Sequence, residues 1–135
     1  KRDWRSDVCS SDLIVGKRIP SSSTFQIEQS EISRFCAAVG MSDETIAPPT
    51  FSFTLIIKAF EETLKDAGIN WDRMVHGDQR FEIKEPIRAG DLLSVSSTIE
   101  SVRVVAGNEL VSVRADIERD GINIIEAWST LVVRG

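Results

Sequence analysis

In the first half of the chain, apolar residues recur at helical spacing. One stripe stands at i, i+3, i+4 and i+7, formed by Ile32, Phe35, Cys36 and Val39. Ser30 precedes this stripe as a candidate N-cap, and Gly40 follows it as a left-handed end. The spacing predicts a short amphipathic helix in which Cys36 is a buried hydrophobic residue rather than a nucleophile. The alternating segment 24–29 before this helix predicts a short strand.

A second helix is predicted between the prolines of "APPT", residues 47–50, and Gly68. Its first ten residues, 51–60, are apolar on nearly every face, so we expect neighbours to surround this helix. Polar residues interrupt the pattern from Glu61 onward, while Leu64 and Ala67 continue the apolar side. Gly68 is expected to end the helix.

After Asp72 the apolar period changes from helical spacing to every second residue, which is typical of strands. Pro86 marks a strand end or an edge, because proline cannot donate a ladder hydrogen bond. Residues 106–109 ("AGNE") and 119–121 ("RDG") carry turn signals between alternating runs. The pattern predicts four long strands in an antiparallel meander.

An antiparallel sheet of this length must bury one face, and residues 51–64 form the element apolar enough to cover it. The fold class predicted is therefore α+β, with a long antiparallel sheet wrapped around a central hydrophobic helix, the hotdog fold. The alternative on pattern alone is a cone-shaped α+β fold, in which helices cover an open sheet and enclose a pocket.

Composition narrows the class of protein. The 135 residues carry a net charge of -5, and an acidic chain without a basic stripe is a poor partner for nucleic acid. No apolar run is long enough to span a bilayer, and the two cysteines are too few for a disulfide framework. We therefore expect a cytoplasmic location with reduced thiols.

The N-terminal segment has a different character from the rest. Its residues 3–13, "DWRSDVCSSDL", closely resemble the translation of a sequencing-library adapter. We therefore treat residues 1–13 as an artefact without ordered structure and exclude them from the fold. Residues 14–135 are assigned to a single domain.

Motifs for phosphate loops, zinc proteases and paired cysteine ligands are absent from the sequence, so we expect neither a metal nor a cofactor. The single histidine is His76, and Asp78 follows it two positions later. Residues at i and i+2 of a regular strand share a face, so the spacing allows an acid–imidazole pair.

Three segments in order carry a family resemblance: "APPTFSF" (47–53), "HGDQRFEIKEPIRAGD" (76–91) and "EAWSTLVVRG" (126–135). Together they resemble the N-terminal domain of MaoC-like dehydratases, hotdog proteins that include half of hydratase 2 and the non-catalytic subunit of fatty-acyl dehydratase. The resemblance covers residues 14–135. It implies reversible dehydration of a (3R)-3-hydroxyacyl thioester, carried on coenzyme A or acyl carrier protein.

Catalytic members of that family supply an Asp and a His from a D-x-N-x-x-H motif. The matching stretch here, residues 39–50, has Asp43 but carries Thr45 in place of Asn and Pro48 in place of His. The resemblance therefore implies a subunit without the catalytic pair. Its partner would be a catalytic MaoC-type hotdog chain or a second copy of itself.

The remaining site expectations concern the substrate. We expect Pro48, Pro49, Thr50 and Phe51 to line an acyl tunnel at the start of the central helix. His76 and Gln79 are expected to satisfy buried polar groups near a domain interface. Two alternatives stay open: a homodimeric dehydratase that uses His76 with Asp78 or Asp43, and an acyl-thioester binding module or thioesterase-like hotdog.

Overall fold

The computed structural model describes residues 15–135, so the proposed artefact at residues 1–13 lies outside the described part of the chain. Within this range two helices and five strands follow one another in this order: β1 (Arg18–Gln26), α1 (Gln29–Val39), α2 (Ser52–Asp66), β2 (Met74–Ile83), β3 (Leu92–Val105), β4 (Asn108–Arg119) and β5 (Ile122–Val133). Short 3-10 turns, Pro49–Phe51 and Trp71–Arg73, precede α2 and β2.

All five strands form one antiparallel sheet in the order β1-β3-β4-β5-β2. The predicted meander is confirmed for β3, β4 and β5, but it is wrong for β2, which pairs with β5 at the far edge. Alternation of apolar residues identifies a strand without identifying its neighbour. The connection 84–91 after β2 contains Pro86. It leads past β5 and β4 to β3 instead of forming a tight hairpin.

Both predicted hairpin turns are confirmed. The β4–β5 turn has positive φ at Asp120 (52°) and Gly121 (76°), and the β3–β4 turn has it at Ala106 (50°) and Gly107 (81°). Two successive left-handed residues are the signature of a type I′ turn, whose twist matches that of the flanking strands. These turns fix the register of the three central strands.

The first helix starts earlier than predicted. Its N-cap is Glu28 rather than Ser30, and the Glu31 carboxylate accepts a hydrogen bond from the Glu28 N–H at 3.0 Å. Cys36 is fully buried as predicted, and burial raises the pKa of its thiol, which disfavours the reactive thiolate. Val39 does not join the buried stripe, since it lies in the last turn and is 49% exposed.

Helix α2 covers the inner face of the sheet. Its buried residues follow helical spacing along one side: Ser52, Leu55, Ile56, Ala59, Phe60, Thr63 and Leu64. Opposite them lie the inward-facing residues of the central strands, among them Val95, Ile99, Val111, Val113, Ile117, Ile125 and Leu131. The α+β hotdog fold is thereby confirmed. Along the helix flank that looks toward β2, Phe53 and Ile57 remain half-buried.

A row of small side chains crosses the middle of the inner face. Ser97, Ala115 and Ala127 are register partners on β3, β4 and β5, and all three are buried. Small side chains here leave space that larger residues of the core, such as Phe60, can fill at the usual packing density.

This row makes a packing prediction. Ala115→Leu inserts a larger side chain between two occupied neighbours, so we expect it to lower the free energy of unfolding by about 1–3 kcal/mol. Ala38→Leu makes the same change at an exposed position of α1 and should stay within about 0.5 kcal/mol of the parent. Chemical denaturation of both variants measures the difference, and equal stabilities would contradict this account of the core.

Candidate functional site

A β-bulge at Gly77 separates the two residues of the suspected acid–imidazole pair. His76 is the register partner of Leu131, whereas Asp78 is that of Thr130. Leu131 and Thr130 are adjacent on β5 and therefore point to opposite faces of the sheet. The expectation that His76 and Asp78 share a face is wrong, because the extra residue in the bulge reverses the alternation.

Glycine relieves a close approach between the two strands at the bulge. A Cβ at Gly77 would lie 3.3 Å from the Thr130 carbonyl oxygen, closer than ordinary van der Waals contact. The missing side chain lets β2 approach β5 at this point. Gly77 thus places the imidazole of His76 on the inner face, beside α2.

The His76 ring is held by one aromatic contact and one amide. It stacks on Phe53 of α2 with ring centroids 5.0 Å apart and planes at 30°. Its Nε2 lies 3.1 Å from Oε1 of Gln79. That oxygen also accepts a hydrogen bond from the Ser129 hydroxyl, and the Gln79 amide nitrogen donates to the Arg80 carbonyl at 3.3 Å.

These contacts determine the tautomer of the neutral imidazole. Since Oε1 of Gln79 can only accept, Nε2 of His76 must carry the hydrogen. The lone pair then lies on Nδ1, for which residues 15–135 provide no hydrogen-bond donor. The chain Ser129–Gln79–His76 runs from a buried hydroxyl through a half-buried amide to an exposed imidazole, and it presents one basic nitrogen on the open side of the ring.

A carboxylate partner for this imidazole is missing from the described residues: no Asp or Glu within residues 15–135 forms a hydrogen bond or ion pair with His76. Asp43, the second candidate acid, is engaged within its own loop. Its Oδ1 accepts hydrogen bonds from the Thr45 hydroxyl at 2.6 Å and from the Thr45 N–H at 2.9 Å. These two bonds, the hydroxyl first, lower the pKa of Asp43.

The residues expected to line an acyl tunnel are divided between two places. Pro48 and Pro49 border an apolar cavity of about 100 Å³, together with Ile83 of β2 and Ile125 of β5. Phe51 instead points toward α1, where it meets Phe35 edge-on at 5.5 Å. Thr50 is exposed in the 3-10 turn between them.

Sequence reasoning missed Phe53, the residue that links α2 to His76. The signal was present, because two residues along a helix correspond to a rotation of about 200°. Phe51 ends the 3-10 turn and packs on Phe35 of α1, whereas Phe53 in the first turn of α2 stacks on His76, so the two rings lie on opposite flanks of the helix. This geometry puts Phe53, His76 and Gln79 on the flank next to β2.

Strand β2 leaves the flank open. Among residues 15–135 it pairs only with β5, and its Ile83, which shares the inner face with Phe81, is 38% exposed. Phe53, Ile57 and Phe81 beside it are only half-buried. We call these apolar residues together with His76 and Gln79 the β2 face. An unpaired strand edge next to apolar side chains is the kind of surface that another chain covers.

Charged side chains on the outer face of the sheet form ion pairs with one another. Arg114 binds both Asp116 at 2.9 Å and Glu126 at 3.1 Å, and the first of these contacts raises the pKa of Arg114. The Arg80 guanidinium lies 4.0 Å from the ring centroid of Trp128. Such a balanced network is best explained as structural.

Residues 15–135 contain no group of three or more His, Cys, Asp or Glu side chains placed to hold a metal ion. None of the helices in the same range is long and apolar enough to cross a bilayer.

Comparison with known proteins adds a family and a fold. Residues 14–127 match the family described as "FAS1-like, dehydratase domain region". A UPF0336 protein of Streptomyces coelicolor is 34% identical, and the match covers 90% of this chain and 93% of that protein.

Two solved structures with lower sequence identity share the fold. The truncated HadBC complex of Mycobacterium tuberculosis, a 3R-hydroxyacyl-ACP dehydratase, superposes with a TM-score of 0.79 at 24% identity, over 88% of this chain and 96% of that one. The R-hydratase PhaJ1 of Pseudomonas aeruginosa superposes with a TM-score of 0.70 at 16% identity, over 93% and 84% of the two chains.

The hydrogen-bond chain at His76 predicts a defined tautomer. In ¹⁵N NMR spectra recorded where the imidazole is neutral, we expect the Nε2–H form of His76 to dominate, and Gln79→Leu should shift the ring toward a mixture of tautomers. Gln26→Leu, which changes an exposed glutamine of β1, serves as the control. A dominant Nδ1–H form in the parent protein would contradict the assignment.

The Asp43 loop predicts a pKa change. Thr45→Val removes the hydroxyl donor, so the pKa of Asp43 should rise toward the ordinary aspartate value, as measured by carboxyl ¹³C NMR titration. Since the native pKa is lowered, the bond stabilises the fold above the ordinary pKa, and this contribution is lost as pH falls through the native value. Thr24→Val on β1 should leave Asp43 unchanged, and an unchanged titration in Thr45→Val would show that the hydroxyl has no effect.

Proposed function

The chain belongs to the FAS1-like dehydratase domain family, and we propose that it is the tunnel-forming subunit of a 3-hydroxyacyl thioester dehydratase. In this proposal a second hotdog chain supplies the catalytic Asp and His. The substrate is a (3R)-3-hydroxyacyl or 2-enoyl thioester of coenzyme A or acyl carrier protein. The observation that carries the proposal is the β2 face, an open apolar surface with a histidine that contacts no acid among residues 15–135.

The chemistry of the reaction explains why a partner is needed. Removal of water across C2 and C3 requires a base for the C2 proton, an acid for the leaving hydroxyl, and a donor to the thioester oxygen. This chain has Pro48 at the family's histidine position, and its Asp43 is bound to Thr45 in a loop. His76 alone offers a single basic nitrogen without an acid.

The β2 face is suited to forming one wall of an acyl site. The rings of Phe53 and Phe81 provide apolar surface, and Gln79 and His76 place polar atoms next to it. A partner that covers this face would bury the exposed Ile83 and pair with the free edge of β2. The cavity at Pro48 and Pro49 borders the same edge through Ile83.

The central test is activity with and without a partner. We expect the isolated chain to hydrate crotonyl-CoA only at background rate, whereas co-expression with a hotdog chain that carries D-x-N-x-x-H should give an active complex. Loss of the enoyl absorbance measures the reaction. Full activity of the isolated chain, abolished by His76→Ala, would instead establish a homodimeric enzyme, and release of free acid would indicate a thioesterase.

A pair of variants tests the role of the β2 face within the complex. His76→Ala should reduce kcat less than about tenfold, since removing a general acid or base costs roughly a hundredfold or more. Phe53→Ser should raise KM for long acyl chains by about tenfold or more, because it removes a large apolar contact. Phe25→Ser is the matched control. It removes an equally large, half-buried ring from β1, which lies beside the opposite flank of α2. An unchanged KM in Phe53→Ser would exclude the β2 face as an acyl wall.

A further inference from the structure

A second apolar groove lies on the flank of α2 that faces away from His76. It runs between β1, α1 and α2 and has a volume of about 500 Å³, within the range of small-molecule sites. Its lining includes Phe25, Ile27, Phe35, Phe51, Leu55 and Lys58. Because Phe51 and Phe53 face opposite flanks of the helix, this groove is distinct from the β2 face.

The floor of the groove is preformed and apolar. Ile27, Phe51 and Leu55 are only 2%, 3% and 5% exposed, so their positions are fixed by the core. Phe35 packs edge-on against Phe51, and Phe25 is half-buried at the β1 side. A rigid apolar floor of this kind binds aliphatic chains without first having to be ordered.

The rim of the groove is cationic. Arg34 of α1 and Lys58 of α2 are both exposed, and neither forms an ion pair with any residue in the described range 15–135. The Lys58 ammonium lies 5.7 Å from the ring centroid of Phe25, which holds it over the groove. Glu31, the acid among the lining residues, accepts the Glu28 N–H in the α1 cap.

We propose that this groove binds a medium-chain fatty carboxylate, with its aliphatic chain on the phenylalanine floor and its head group at Arg34 and Lys58. The ligand must combine apolar length with one negative charge, since the groove offers an apolar floor and two cations without carboxylate partners. This site does not depend on the proposed dehydratase function, because it uses the other flank of α2.

Three probes with ten-carbon alkyl chains test the ligand class on the full-length polypeptide. Isothermal titration below micelle-forming concentrations should detect binding of decanoate, with decanol at least about fivefold weaker and decyltrimethylammonium weaker still. In NMR titrations decanoate should shift the resonances of Phe25, Phe35 and Phe51. Equal affinity for decanol would overturn the anionic assignment, and shifts confined to Phe53 and His76 would overturn the location.

Variants separate the head-group and chain contacts. The double variant Arg34→Glu/Lys58→Glu should weaken decanoate binding by about tenfold and leave decanol binding unaffected. The control is Arg103→Glu, which makes the same charge reversal at an exposed arginine of β3. Thr54→Trp should block the groove, because Thr54 lines it and is half-buried.

A final variant distinguishes this site from the β2 face. Phe53→Ser should leave decanoate affinity unchanged even where it raises KM for acyl thioesters. Unaltered binding in both Thr54→Trp and the double charge variant would refute the groove as a fatty carboxylate site.

Discussion

The burial of α2 against the inner face of the sheet is the interaction on which the rest of the structure depends. Apolar residues of β3, β4 and β5 form a surface that must be removed from water, and α2 is the helix whose buried stripe covers it. Small residues at Ser97, Ala115 and Ala127 make room in the middle of that face. Any chemistry of the protein is arranged around this helix.

A helix that covers a sheet from one side has two flanks, and in this chain the flanks differ in kind. On one flank Phe53 stacks on His76 beside the free edge of β2. On the other flank Phe51 and Leu55 form the floor of a groove with a cationic rim. Because the helix turns about 100° per residue, phenylalanines two positions apart serve separate surfaces.

The bulge at Gly77 decides what the histidine can do. It directs His76 toward α2 and Asp78 to the opposite face, so the nearest acid in sequence is removed from the imidazole. Gln79 and Ser129 take the place that an acid would hold, and they fix the ring without supplying charge. An imidazole held by an amide and a phenylalanine ring at an open edge fits a binding wall better than a self-sufficient catalytic pair.

The sequence by itself determined the class of fold and most of the elements. Apolar periodicity, the prolines before α2 and the turn residues at 106–107 and 120–121 are local signals, and each acts within a few residues of its position. The absence of a histidine at Pro48 was equally visible, because it depends on a resemblance between motifs and not on packing.

Only the tertiary structure decided which elements meet. The pairing of β2 with β5 rather than β3 depends on a crossing connection, and alternation is the same whichever neighbour a strand has. The bulge that separates His76 from Asp78, and the contact of His76 with Phe53, follow from that pairing. Long-range register is set by the packing of the whole sheet, so the candidate site could be read only from the folded chain.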